Sequence, residues 1–282
     1  MFKIFRNAIK AANSNIILTI PLIIFVKLID LYSSYSNYDL DFLPKFIIST
    51  VTILFMFGIF CSAWFFMVRG AVDNSEKIFI LDNDRTKASL SLFKTIPEGV
   101  SRLFLPFIGV YLIFLAIQVI LTPVVYYLGI NLIGSLDAES LADIQTLALT
   151  SVSESNSMAV LLDKLQPSQI VFFAKWSLLF MVVTSVVMYL LTLWVPEIVY
   201  HTTNPLKALF KSIAKLFRKF FETSFMFAML WFLGFILLFL NTFSMINPVI
   251  YLVMNVVSFY FILYLSVCIF LYYKTRFCED EE

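Results

Sequence analysis

Apolar residues dominate six stretches of this chain, about 16–35, 46–68, 103–130, 169–196, 222–245 and 249–273. A helix needs about 20 mostly apolar residues to cross the hydrocarbon of a bilayer, so the pattern predicts six transmembrane helices. The third stretch carries Pro106 and Pro123 and is expected to kink or break. "MINPVI" joins the fifth to the sixth as a tight turn. Three shorter segments lead into the first, third and fifth stretches: "FRNAIKAANSNI" (5–16), "FKTIPEGVSRLF" (93–104) and "FKSIAKLFRKFF" (210–221). Each begins with Phe, then a basic residue, then Asn, Thr or Ser, then Ala or Ile. The chain therefore reads as three units of surface helix plus hairpin, 1–68, 88–196 and 204–273, with an acidic C-terminal tail at 274–282. The expected fold is all-α: a single polytopic membrane domain of six transmembrane helices with three cytoplasmic amphipathic interfacial helices.

The most basic of these segments is "NPLKALFKSIAKLFRKFF", residues 204–221. Asn204 suits an N-cap and Pro205 the first helical position, where a missing N–H costs nothing. Leu206, Leu209, Phe210, Ile213, Phe217 and Phe220 follow at steps of three and four and form one apolar stripe. Lys207, Lys211, Lys215, Arg218 and Lys219 fall on or beside the opposite face. Such a helix lies in the plane of a membrane surface, apolar groups in the acyl boundary and cations toward anionic headgroups. Phe210 and Phe217 with the five cations are the candidate membrane-surface residues. A nucleic-acid-reading helix would not need this second apolar face, so lipids, and after them other membrane proteins, are the expected partners.

Composition strengthens the membrane reading. The chain is 61% hydrophobic and 14% charged, against about 45–50% and 25% in soluble domains. Its 32 Phe and 7 Gly argue that bulky side chains, not Gly-xxx-Gly contacts, generally fill the helix interfaces. Charge sets the orientation. With the N-terminus inside, sixteen of the twenty basic residues lie on the cytoplasmic side, as the positive-inside rule asks. The expected location is a bacterial cytoplasmic membrane, multi-pass, with both termini cytoplasmic. The outer connections are acidic, with Asp39 and Asp41 in the first and Asp137, Glu139, Asp143, Glu154 and Asp163 in the long 131–168 connection. Within that connection, "ESLADIQTLAL" and "SMAVLLDKL" have the spacing of short amphipathic helices.

Chemistry is sparse. One histidine, His201, and three scattered cysteines, Cys61, Cys268 and Cys278, give no metal-ligand or acyl-transfer spacing. No Gly-rich phosphate loop occurs. No cofactor and no catalytic set is expected. Ionisable and polar residues inside the spans are the remaining candidates. Lys27 and Asp30 are spaced to pair on one helix face, and Gln118, Asn241 and Asn255 lie within other spans. Glu197, after Pro196, is placed to face the basic helix that follows.

The segment 194–239, "WVPEIVYHTTNPLKALFKSIAKLFRKFFETSFMFAMLWFLGFILLF", resembles a stretch in bacterial six-helix membrane families, including the membrane domain found beside glycerophosphodiester phosphodiesterases. There a span ends in an aromatic-Pro pair, and a helix begins near Pro-x-x-Ala-x-x-x-Ser. Pro205, Ala208 and Ser212 match that helix start, whereas Val195-Pro196 replaces the aromatic pair. "KASLSLFKTIPEGVSRLFLPFIGVYL" (87–112) looks like the equivalent earlier unit. The phosphodiesterase catalytic domain is absent, so the resemblance implies a membrane domain with no assigned reaction. Three classes of function follow from the sequence: a non-enzymatic structural or accessory membrane protein, a small transporter or channel with a path near span three, and an intramembrane lipid enzyme. The first is the leading expectation and the second its alternative.

Overall fold

A computed structural model describes residues 1–36, 43–75, 77, 82–135, 167–244 and 247–278. Among them are ten α-helices and no strand: α1 (Phe2–Ser14), α2 (Thr19–Ser36), α3 (Leu43–Ser75), α4 (Asp82–Ser91), α5 (Ile96–Leu132), α6 (Pro167–Leu191), α7 (Trp194–Tyr200), α8 (Pro205–Arg218), α9 (Phe220–Ser244) and α10 (Pro248–Tyr273). Six stretches are long and apolar enough to cross a membrane, and they are carried by α2, α3, α5, α6 with α7, α9 and α10. The chain is an all-α, multi-pass integral membrane protein. The six expected spans are all present as helix.

Several expectations differ in detail. α5 is one unbroken helix through Pro106 and Pro123. Each proline removes one N–H donor, and the bonds before and after it keep the helix continuous. Segment 93–104 is not a surface helix: it contains a 3-10 turn and the first residues of α5. The short helix before the third span is instead α4, whose described outer residues 84–87 are all polar and exposed. The fourth span does break, at Thr192–Leu193. Pro196 explains this, because its ring excludes the carbonyl one turn earlier. Residues 274–278 are not tail but a π-helical turn with Phe277 buried. The two helices expected at 139–149 and 157–165, with Asp39, Asp41 and the acidic residues of 137–163, lie outside the described residues.

The chain packs as two compact units. The first comprises Met1–Ile113 and Tyr189–Glu282. Its core gathers Leu18 of the 3-10 turn before α2 and Leu22 of α2, Trp64, Met67 and Val72 of α3, Leu103 and Phe107 of α5, Met226 of α9, and Leu263, Val267 and Phe270 of α10. These are the N-terminal ends of α2, α5 and α9 and the C-terminal ends of α3 and α10, so all meet at one end of an antiparallel set. Short helices reinforce that end. α1 packs on α10 and buries Ala8, Ala11 and Ala12. Trp64 of α3 donates its indole N–H to Leu18 O at 3.1 Å, satisfying a carbonyl at the 3-10 turn between α1 and α2. One glycine of this unit serves close approach between α3 and α5. A Cβ on Gly99 would lie 2.8 Å from Phe66 Cβ and 3.1 Å from Ser62 O, so α5 touches α3 there.

The second unit, Phe114–Met188, combines the second half of α5 with most of α6. Gly129 lies under Trp176, whose ring leaves no room for a Cβ. Gly134 ends α5 with φ 104°, and its N–H reaches Gly129 O and Ile130 O, a left-handed cap that favours glycine.

Candidate functional site

Four of the five described ion pairs of the first unit lie at the same end as its core, around α8. Local sequence builds this helix. Asn204 Oδ1 accepts from Lys207 N at 3.0 Å, and Pro205 occupies the first turn, as the N-cap expectation requires. The Trp194 indole donates to Pro205 O at 2.9 Å, tying the helix start to α7.

α8 has three faces rather than two. Its buried row is Ala208, Ser212 and Leu216. The expected apolar stripe points outward: Leu206, Phe210 and Phe217 are 53%, 70% and 60% exposed, while Leu209 and Ile213 are half-buried. Beside that stripe, Lys207, Lys211 and Arg218 are exposed. At about 100° per residue, Lys215 and Lys219 share the sector of the buried row, and this is where the structure departs from the expectation that all five cations face headgroups. Lys215 turns inward, with its side chain 15% exposed. Lys219 donates to Arg276 O at 3.0 Å.

Lys215 meets the most buried carboxylate of this end. Its Nζ lies 2.9 Å from Oε2 of Glu197, which is fully buried. The Tyr273 hydroxyl also donates to that oxygen, and Lys215 Nζ lies 2.8 Å from the same hydroxyl. Glu197 Oε1 has no hydrogen-bond partner among the described residues. The ammonium also sits over the Tyr273 ring, 5.0 Å from its centroid, a favourable cation–π position. One carboxylate of α7 thus binds α8 and α10 together.

Further ion pairs surround this knot. Lys274 Nζ lies 2.8 Å and Arg69 Nε 3.8 Å from the Asp73 carboxylate. Arg69 donates to Val199 O at 3.0 Å and covers the Tyr200 ring. Arg276 approaches Glu222 to 3.1 Å but is not aligned for a hydrogen bond, so that contact is mainly Coulombic. His201 Nε2 lies 3.6 Å from Cys278 Sγ. Among the described residues no group of three or more His, Cys, Asp or Glu could hold a metal ion. Arg69, Asp73, Glu222, Tyr273, Lys274 and Arg276 were not sequence candidates; apart from Arg69 and Asp73, which also pair one turn apart on α3, their partners lie far away in the chain.

The intramembrane candidates do not converge in the same way. Lys27 and Asp30 do pair, at 3.2 Å, but on an exposed face of α2 with side chains 72% and 60% exposed. Asn255 bonds its own helix at Tyr251 O. Asn241 is half-buried near the end of α9, and Gln118 belongs to the second unit.

The chain matches no protein-family model, no curated protein and no solved structure. The six apolar helices define it as a multi-pass integral membrane protein, and four of the described ion pairs gather at one end of the spans of its first unit.

Proposed function

We propose that this is a non-enzymatic accessory protein of a bacterial cytoplasmic membrane that holds α8 against anionic lipid on the cytoplasmic side. One observation carries the reading: Leu206, Phe210 and Phe217 are exposed in a row on a helix whose opposite side is anchored. Full burial of such side chains stabilises by about 1.5–3 kcal/mol each. Each cation near an anionic surface contributes only about 1 kcal/mol. The apolar row therefore provides most of the attachment, and Lys207, Lys211 and Arg218 select the lipid. The count of basic residues supports a cytoplasmic placement of this end. The likeness of 194–239 to the membrane domain beside glycerophosphodiester phosphodiesterases fits an accessory role.

Native mass spectrometry of the full chain, released from mixed micelles of phosphatidylglycerol and phosphatidylcholine, tests the reading. Retention of phosphatidylglycerol over phosphatidylcholine, reduced in a Lys207→Gln/Lys211→Gln variant, supports it. Equal retention of the two lipids by the unaltered chain overturns it.

A further inference from the structure

A cleft of about 370 Å³ opens at the same end of the first unit, between α1, α4 and the C-terminal ends of α3 and α10. It is away from the outward face of α8, and none of the residues lining it belongs to that helix. Its size falls within the range of about 300–1,000 Å³ typical of small-ligand sites.

The lining has one sign of charge. Lys10 comes from α1, Lys77 from just beyond α3 and Arg85 from α4, and no carboxylate is among the described lining residues. Asp73, the acidic residue nearest in sequence on α3, is already neutralised by Lys274 and Arg69. The side chains of Lys10 and Arg85 make no hydrogen bond or ion pair among the described residues, and both residues also line an adjoining recess with Asn13 and Thr86. Cations gathered in a concave wall repel one another and focus a positive potential into the space between them.

The wall is built, not incidental. Ser89 of α4 donates its hydroxyl proton toward Ser14 O, at 2.8 Å, with Asn15 Oδ1 at 2.9 Å. Asn15 is buried, and its amide donates to Ala11 O at 2.9 Å. These bonds fasten α4 across the end of α1 and fix the helices that carry Lys10 and Arg85. Lys77 is held on Asn74 Oδ1 at 2.8 Å. Asn15 immediately precedes the first apolar span, and Ser75 and Leu271 lie near the ends of two others. The cleft is therefore at the depth where lipid phosphates lie.

We propose that this cleft binds an anionic phosphate group, with Lys10 and Arg85 as its principal contacts. Arg85 supplies a planar set of donors suited to phosphate oxygens, and the two lysines supply point charge. The proposal does not rest on the α8 reading, and the two fail separately.

The test is equilibrium binding to the full chain in an uncharged maltoside detergent. The probes are short-chain phosphatidic acid and inorganic phosphate. Phosphatidic acid is expected to saturate at one per chain. Lys10→Gln/Arg85→Gln should weaken it at least about tenfold, and Lys175→Gln, an exposed lysine outside both the cleft and α8, should leave it unchanged. These substitutions alter exposed side chains, and an unchanged helical circular dichroism spectrum confirms that each variant is folded. Competition by inorganic phosphate assigns the site to the phosphate group from either source; its absence assigns the site to lipid-borne phosphate. No saturable binding of either probe, or equal affinity for the Lys10→Gln/Arg85→Gln variant, overturns the proposal.

Discussion

Lys215 Nζ and Glu197 Oε2 lie 2.9 Å apart, the carboxylate fully buried and the lysine side chain 15% exposed, eighteen residues apart in sequence and on two different helices. The pair turns α8 from a loosely attached surface segment into a fixed part of the bundle. It also sets the helix's rotation. With Lys215 inside, Phe210 and Phe217 must face out.

Removing one partner of a buried pair leaves the other charge uncompensated, at a cost of about 3–5 kcal/mol. Lys215→Ala is therefore expected to lower stability by that amount, measured by denaturant unfolding in detergent. Glu197→Leu with Lys215→Met removes both charges and should recover most of the loss. A Lys215→Ala chain as stable as the original would contradict the latch.

Tyr273→Phe keeps the ring over Lys215 and removes only the hydroxyl. Losing a hydrogen bond to a charged group costs about 1.5–3 kcal/mol. The expected loss is thus smaller than for Lys215→Ala. The two substitutions together should cost less than their sum, since they share Glu197 Oε2. Strict additivity would mean that the three groups do not act as one network.

Gly99→Ala places a methyl group against Phe66 Cβ and the Ser62 carbonyl, neither of which can swing aside. Overpacking of this kind costs about 1–3 kcal/mol. Gly234→Ala meets Phe261 at an ordinary 3.7 Å, and helix propensity favours alanine by about 1 kcal/mol. The first variant should melt below the parent and the second at or above it.

The spans and the N-cap of α8 were legible in the sequence because they depend on neighbours along the chain. Twenty apolar residues in a row, or Asn before Pro at a helix start, need no tertiary information. The inward turn of Lys215 and Lys219 was not legible. One apolar stripe suggests two faces, and only the packed bundle shows that a third, Ala208–Ser212–Leu216, is the buried one. A signal was present: small residues four apart mark a side where helices approach closely, and Ala8 and Ala12 of α1 repeat it. The partnership of Glu197 with the helix after it could be anticipated from proximity in the chain. Its bond to Tyr273 could not, since 76 residues separate them. For the same reason the cleft that joins Lys10 to Arg85 left no mark in either segment alone.

Lys207→Gln/Lys211→Gln removes two exposed cations beside the apolar row. At about 1 kcal/mol each, selectivity for phosphatidylglycerol over phosphatidylcholine should fall about twentyfold to thirtyfold. The fall should shrink at high salt, where surface charges are screened. Phe210→Ser/Phe217→Ser should instead loosen α8 from both lipids alike. Reversal of these two patterns would mean that the apolar row does not face lipid.

The depth of α8 in a bilayer tests the central claim most directly. Cys61, Cys268 and Cys278 are replaced by alanine, and a spin label is placed at residue 217 or residue 211 of the full chain in phosphatidylglycerol vesicles. Power saturation then compares collision with dissolved oxygen and with a water-soluble nickel chelate. A label at 217 that meets oxygen preferentially, with one at 211 that meets nickel, is the predicted result. A label at 217 as open to nickel as the one at 211 would place the exposed phenylalanines in water and contradict the account.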